Sequence, residues 1–230
     1  MNIIAHRGYA ALYPENTVAA VRAASAGTAG DGRVPPADLI EIDVRRCATG
    51  EIVVYHDEGL EKLTGYEGLV AETPLSTLRT LTILDSEESI PLLEEVLDAA
   101  DPETPLVVEL KHAGMAREVA AACEAAENDA VLSSFFEGVL RECASVSALP
   151  RALVFDSDWD ASLSTARELG CNYVNAEYHL LLGHEERISA AQDAGFEVNA
   201  WHVTDADAAS RLRRHGIDGI VVDDPTGLDL

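Results

Sequence analysis

Lysine is almost missing from this chain: Lys62 and Lys111 are the only two in 230 residues. Bases of every kind are scarce, with 16 Lys and Arg against 41 Asp and Glu, which leaves a formal charge of −25. A surface of that sign repels nucleic acid and anionic membranes, so neither is expected as a partner. The balance resembles that of proteins built for very salty cytoplasm, where roughly 1 M salt shortens the Debye length to about 3 Å and screens such self-repulsion. Long apolar runs are missing as well. No stretch reaches the roughly 18 apolar residues of a membrane-spanning helix, so no stable membrane insertion is expected. The start, MNIIAHRG, carries neither the basic nor the long apolar segment of a secretion signal, and a cytoplasmic location is expected. Cys47, Cys123, Cys143 and Cys171 are scattered without a CxxC pair, so zinc-site spacing is absent and no small disulfide scaffold is implied. GxSxG, Walker and dinucleotide fingerprints are absent too.

What the chain does have is rhythm. Short apolar runs at 2–6, 38–44, 52–56, 105–111, 130–135, 151–155, 172–176, 196–202 and 217–222 read as strands. Helix-like spacing fills 15–25, 91–100, 115–127, 137–147, 160–169, 184–194 and 205–214. Repeated strand–helix units argue for a parallel sheet with helices outside, and eight of them closing on themselves make a (β/α)8 TIM-type barrel, expected here as one domain over 1–230. Nine candidate strands are one too many. Only eight residues separate Asp43 from Ile52, fewer than the roughly 10–12 that a helical crossover needs. The expectation is therefore a β-hairpin, with Thr49-Gly50 as a two-residue turn that sets His56 opposite Asp43 and makes 52–56 an extra strand. Gly/Pro-rich residues 26–37 read as a surface loop, and 57–90 as a small cap inserted after the second barrel strand, with a short helix near 75–81.

Glu41 and Asp43 lie two apart on a strand and share one face, while Ile40, Ile42 and Val44 take the other. Two carboxylates on an inward face are costly unless a cation neutralises them, and hard divalent cations such as Mg2+ or Ca2+ prefer oxygen ligands. An Arg-paired structural carboxylate, with Arg45 or Arg46, is the competing account. Glu109 and Lys111 repeat the spacing on another strand. Glu109 can complete an open cation site, and Lys111 can meet a phosphate oxygen or simply pair with Glu109. His6 and Arg7 end the first strand before Gly8 permits a sharp exit. A guanidinium offers bidentate contact to phosphate, and two histidines, His6 and His56, flank the acidic strand with side chains able to move protons near neutral pH. Trp201 shares a strand face with Asn199 and is a candidate wall for an alcohol group, with ordinary barrel packing as the alternative. His179 and His202 are placed to approach the mouth, and Asp223-Asp224 is a further candidate metal pair.

His6-Arg7-Gly8, Pro14-Glu15-Asn16-Thr17, Glu41-Ile42-Asp43-Val44, Gly50 through His56-Asp57, Val108-Glu109-Leu110-Lys111, Ser134-Phe135 and Trp201 occur in the order that resembles the glycerophosphodiester phosphodiesterase family. Ile90 to Leu97 also resembles the family's segment before the third carboxylate, so the likeness covers nearly the entire chain. The resemblance implies a TIM-type barrel that uses one divalent cation, Mg2+ or Ca2+, to hydrolyse a small glycerophosphodiester to glycerol 3-phosphate and an alcohol. Carried over, His6 and His56 become the acid/base pair, Glu41, Asp43 and Glu109 the cation ligands, and Arg7 and Lys111 the phosphate contacts. It also implies attack by the glycerol 2-hydroxyl through a cyclic phosphate, with either histidine able to serve as base. The chain departs from the family pattern at Glu61-Lys62-Leu63-Thr64-Gly65 and at Trp201-His202-Val203-Thr204, changes that touch the cap or the alcohol side more than the metal set. A related barrel phospholipase acting on lipid phosphodiesters and a non-catalytic phosphodiester-binding barrel are the alternatives.

Overall fold

In the computed structural model, which describes residues 1–30 and 32–228, strand β1 (Asn2–His6) pairs in parallel on both its edges. One neighbour is β2 (Leu39–Arg46) and the other is β8 (Gly219–Val222), so the sheet closes. Between them run β3 (Leu106–Leu110), β4 (Ala130–Ser134), β5 (Arg151–Phe155), β6 (Tyr173–Glu177) and β7 (Glu197–Trp201), each parallel to the next. This is an eight-stranded parallel (β/α)8 barrel. Among the described residues a helix follows each of the first seven strands: α1 (Val18–Ala26), α2 (Leu93–Leu97), α3 (Ala116–Ala125), α4 (Glu137–Val146), α5 (Trp159–Glu168), α6 (Glu186–Asp193) and α7 (Ala206–Arg214). Their starts carry the expected chemistry. Thr17 caps α1 by accepting from the Ala20 amide at 3.1 Å, and Asp205 caps α7 by accepting from the Asp207 amide at 2.7 Å. Period-two alternation sorts the strands: Ile40, Ile42 and Val44 are fully buried against the helices, whereas Glu41 and Asp43 point into the barrel.

The hairpin after β2 forms, but one residue out of the expected register. Ile52–Val54 runs antiparallel to β2 with Val44 facing Val54 and Arg46 facing Ile52. The cause is the loop. The Cys47 amide donates to the Glu51 carbonyl and the Gly50 amide to the Cys47 carbonyl, both at 3.0 Å, so Ala48-Thr49-Gly50 forms a three-residue turn with Gly50 at φ +105°. One extra turn residue shifts every pair by one, and Tyr55, not His56, stands opposite Asp43, its amide donating to the Asp43 carbonyl at 2.9 Å. His56 lies past the end of the ladder, where the Arg45 Nε donates to its carbonyl at 2.7 Å.

Residues 57–90 fold into the helical turns Glu61–Thr64, Val70–Glu72 and Leu75–Leu78. Cys47, Val53, Tyr55, Leu60, Leu63, Val70, Leu78, Ile83 and Ile90 give this region an apolar cluster of its own. Arg79 ties it to α2 through two hydrogen bonds to Glu95, at 2.6 and 2.8 Å. Among the described residues of 26–37, where a surface loop is expected, the chain makes a short hairpin and reaches the core. Thr28–Ala29 pairs with Gly32–Arg33, and Val34 and Ala37 are buried in the main core.

Candidate active site

Parallel register brings the polar inward residues side by side. His6 aligns with Glu41 across β1 and β2, and Asp43 aligns with Glu109 across β2 and β3. Together with Arg7, Lys111, His56, Trp201 and His202 they line a cleft of about 190 Å3 at the C-terminal ends of the strands. His6, Arg7, Glu41, Asp43, His56, Glu109, Lys111 and Trp201 are therefore in one place, whereas His179 is exposed, held by Glu177 at 2.7 Å, and does not line the cleft. A wider cleft of about 910 Å3 at the opposite barrel end, lined by Asp38, Glu103, Glu127 and Asp129, contains none of them.

Arg7, Gly8, Tyr9 and Asn16 all have positive φ, so the chain turns sharply as it leaves β1. At Gly8 a Cβ would lie 2.7 Å from the Cβ of Ala20 and 2.8 Å from its carbonyl carbon, which only glycine avoids. That turn delivers Pro14-Glu15-Asn16-Thr17 back to the mouth. Glu15 accepts from Arg7 Nη1 at 2.7 Å, and Asn16 donates to Asp43 Oδ2 at 2.8 Å while accepting from the Asp43 amide at 3.1 Å. The competing sequence reading, pairing of the carboxylates with Arg45 or Arg46, does not occur. Arg45 holds the His56 carbonyl and Arg46 pairs with Glu118 at 2.9 Å. Arg7 instead sits with Nε 3.1 Å from Asp43 Oδ2 and its amide 3.1 Å from Glu41 Oε2. Lys111 bridges Asp43 at 2.8 Å and Glu109 at 2.5 Å.

Burial, then the neighbouring Asp43 and Glu109, push the Glu41 carboxyl well above the usual carboxylate range, and Arg7 and Lys111 recover only part of that. Burial and then Asp43 push Glu109 up to about 7, against Lys111 and Arg7. Burial would raise Asp43 also, yet Lys111, Arg7 and His56 hold it below the usual range. For Lys111, burial acts to lower the pKa, and Asp43, Glu109 and Glu41 overcome it and keep the ammonium charged. Burial lowers His56, with Asp43 opposing and Lys111 and Arg7 adding to the shift.

Each histidine has a carboxylate at its Nδ1. Asp57 Oδ1 is 2.5 Å from His56, and Asp223 Oδ1 is 2.6 Å from His6, whose Nε2 faces Glu41 at 4.0 Å. These orienting carboxylates were not resolved by sequence reading, although each adjoins or repeats a visible signal: Asp57 follows His56, and Asp223 opens the Asp-Asp-Pro that ends the last strand. On the far wall Phe135 meets Trp201 edge to face at 5.4 Å, and the indole Nε1 donates to the Asn175 carbonyl at 2.9 Å. Ser133 lines the cleft, while Ser134 turns away and donates to the Leu110 carbonyl at 2.8 Å.

Residues 6–226 match the Glycerophosphoryl diester phosphodiesterase family. The chain belongs to that family. Its members include a Caldanaerobacter subterraneus glycerophosphodiester phosphodiesterase, 28% identical over 98% of this chain and 95% of the relative. A Bacillus subtilis protein named provisionally for the same activity is 30% identical over 98% of this chain and 95% of its own. In fold, the chain is similar to an Oleispira antarctica phosphodiesterase solved with the product sn-glycerol-3-phosphate, with a TM-score of 0.87, 24% identity, and coverage of 99% of this chain and 95% of that one. As a family member the chain is a phosphoric diester hydrolase. Glu41, Asp43 and Glu109 each offer an oxygen within 4.8 Å of the others, all from buried side chains, and burial with mutual repulsion pushes two of the three above the usual carboxylate range. Such a set fits a hard divalent cation.

Proposed function

We propose that this phosphodiesterase hydrolyses small glycerophosphodiesters to glycerol 3-phosphate and an alcohol, with one divalent cation, Mg2+ or Ca2+, held by Glu41, Asp43 and Glu109. The observation that carries the reading is the arrangement of His6 against Glu41 and His56 near Asp43, each with its Nδ1 held by a carboxylate, around three buried acids. When bound, the cation supplies Lewis-acid stabilisation of charge on the phosphate oxygens.

The chain's own residues do the rest. Arg7, held by Glu15 and Asp43, presents a fixed guanidinium to the phosphate, and Lys111 adds a second positive charge beside it. The glycerol 2-hydroxyl attacks phosphorus from within the same molecule, an arrangement that saves the entropy of bringing a nucleophile in, and gives a cyclic phosphate that water opens. Asp57 and Asp223 fix Nδ1 of the two imidazoles and leave Nε2 for the substrate: one histidine takes the hydroxyl proton, the other protonates the departing alkoxide, and the roles reverse for water. Trp201 and Phe135 wall the alcohol side. The four cysteines are free and buried, which suits a reducing, cytoplasmic setting, and no helix among the described residues is long and apolar enough to cross a membrane.

A panel of glycerophosphodiesters in high salt tests this, with Mg2+ and Ca2+ compared against chelator. Folded protein that releases no glycerol 3-phosphate in a metal-dependent way sinks the proposal. Lipid phosphodiesters are the second reading, favoured by Phe136, which is 56% exposed next to Phe135 at the mouth. A lysophospholipid belongs in the same panel, and a preference for it would replace the small diester as substrate.

A further inference from the structure

The cleft holds a second group of metal-ligand side chains beside the three acids. His6 ends β1, His202 follows β7 and Asp223 follows β8, three strands that are neighbours in the sheet, so the backbone sets their spacing. Nδ1 of His6 lies 2.6 Å from Asp223 Oδ1, and Nε2 of His202 lies 2.6 Å from Asp223 Oδ2. The two imidazole rings face each other at 4.7 Å between centroids, and one ligand atom from each of the three residues lies within 4.8 Å of the others. Asp223 thus holds one nitrogen of each imidazole, one on either carboxylate oxygen. Nε2 of His202 is sealed from solvent, with Asp223 Oδ2 at 2.6 Å beside it. Two imidazole nitrogens converging on one carboxylate are a donor set that a metal ion can take in exchange for their protons.

We propose that His6, His202 and Asp223 form a binding site for a borderline divalent transition metal of the Zn2+ or Co2+ kind, separate from Glu41, Asp43 and Glu109, and that its occupation inhibits the enzyme. Two nitrogens and one carboxylate oxygen suit such ions, whereas Mg2+ and Ca2+ prefer the all-oxygen set. Zn2+ takes these donors at about 2.0–2.1 Å in a tetrahedron, which spaces them roughly 3.3 Å apart. Each close contact to Asp223 therefore needs to open by well under one ångström. Inhibition follows because a His6 ring committed through Nδ1 as a ligand keeps its proton on Nε2 and no longer relays one. The inhibitory half rests on the role proposed above for His6; the binding half does not.

The test uses the full chain saturated with Mg2+ and titrated with Co2+, read by visible absorption, and with Zn2+ by calorimetry. The wild type is expected to bind one equivalent with the intense bands of a four-coordinate nitrogen-containing site. Glu109→Gln should keep those bands. His202→Gln, at a side chain one-third exposed and so tolerant of exchange, should lose them and weaken Zn2+ binding by more than the roughly 10–100-fold that loss of an outer-shell partner costs. Bands that persist in His202→Gln, or that vanish in Glu109→Gln alone, overturn the site. With excess Mg2+ present, Zn2+ should slow the wild type at concentrations that leave His202→Gln at its own zinc-free rate; equal inhibition of both overturns the regulatory half. The spectral arm needs no turnover, so a protein inactive on glycerophosphodiesters would refute the proposed function and leave this site still decided by the absorption bands.

Discussion

A methyl group on Gly8 would press on Ala20, both its Cβ and its carbonyl carbon, in a residue whose φ is +81°. Gly8→Ala is therefore expected to cost more than about 1 kcal/mol, because the left-handed backbone and the close approach both oppose the side chain. A thermal midpoint equal to the wild type would remove the close-packing argument. His6→Ala and His56→Ala should each lower kcat by roughly 10²–10⁴-fold with the fold intact, measured by steady-state hydrolysis beside circular dichroism; an unchanged rate in either would end its acid/base assignment. Glu109, pushed up to about 7, predicts a pH dependence whose sign can be worked out. Its carboxyl binds a proton more tightly in the folded chain than in the unfolded one, where its pKa is about 4.3. In chelator the folded state thus gains most below pH 4.3, and loses that gain as pH rises towards 7 and beyond. The melting temperature of chelated wild type should fall between pH 5 and pH 8 more than that of Glu109→Gln, and added Mg2+ should restore more at pH 8. Parallel slopes for the two proteins would contradict this.

At the scale of elements, most boundaries were legible because their causes are local. Apolar spacing placed all seven helices, and Thr17, Asp158 and Asp205 mark three of their starts with side chains that accept from the first turn. Thr17 is fully buried and also donates to the Pro14 carbonyl at 2.7 Å, so it couples α1 to the loop that carries Glu15 and Asn16. Thr17→Ala should cost about 1 kcal/mol, some 2–4 °C in melting temperature, and Thr17→Ser should recover most of it; failure of serine to rescue would mean the methyl group, not the cap, matters. The Glu41/Asp43 pairing was legible for a similar reason, since strand side chains alternate with period two. The hairpin register was not. Its parity hangs on whether the loop has two residues or three, and Ala48-Thr49-Gly50 closes through the Cys47 carbonyl in a way that alternation cannot foretell. His56 consequently reaches the cleft by the turn after the strand, not by facing Asp43 across it.

At the scale of the whole molecule, 41 acids against 16 bases set the conditions under which any of this chemistry runs. At 0.1 M salt the Debye length is about 10 Å and the acidic groups repel across the surface; near 1 M it falls to about 3 Å. Stability should therefore rise with KCl from 0.1 to 1 M by at least about 1 kcal/mol, or 2–4 °C, followed by thermal denaturation. A flat profile would show that local ion pairs already offset the repulsion.

The sequence by itself determined the barrel class, the position of nearly every element, and the side chains that meet in the cleft, because hydrophobic period, capping and turn chemistry act over a few residues. Tertiary structure alone decided how those side chains are spent. Parallel register set His6 beside Glu41 and Asp43 beside Glu109, Lys111 came to bridge two acids, and Asp223 came to lie between His6 and His202. These contacts join residues as much as 217 positions apart, and Lys111, His202 and Asp223 lie just beyond strand ends, where alternation no longer says which way a side chain points. Only closure of the barrel brings such ends together.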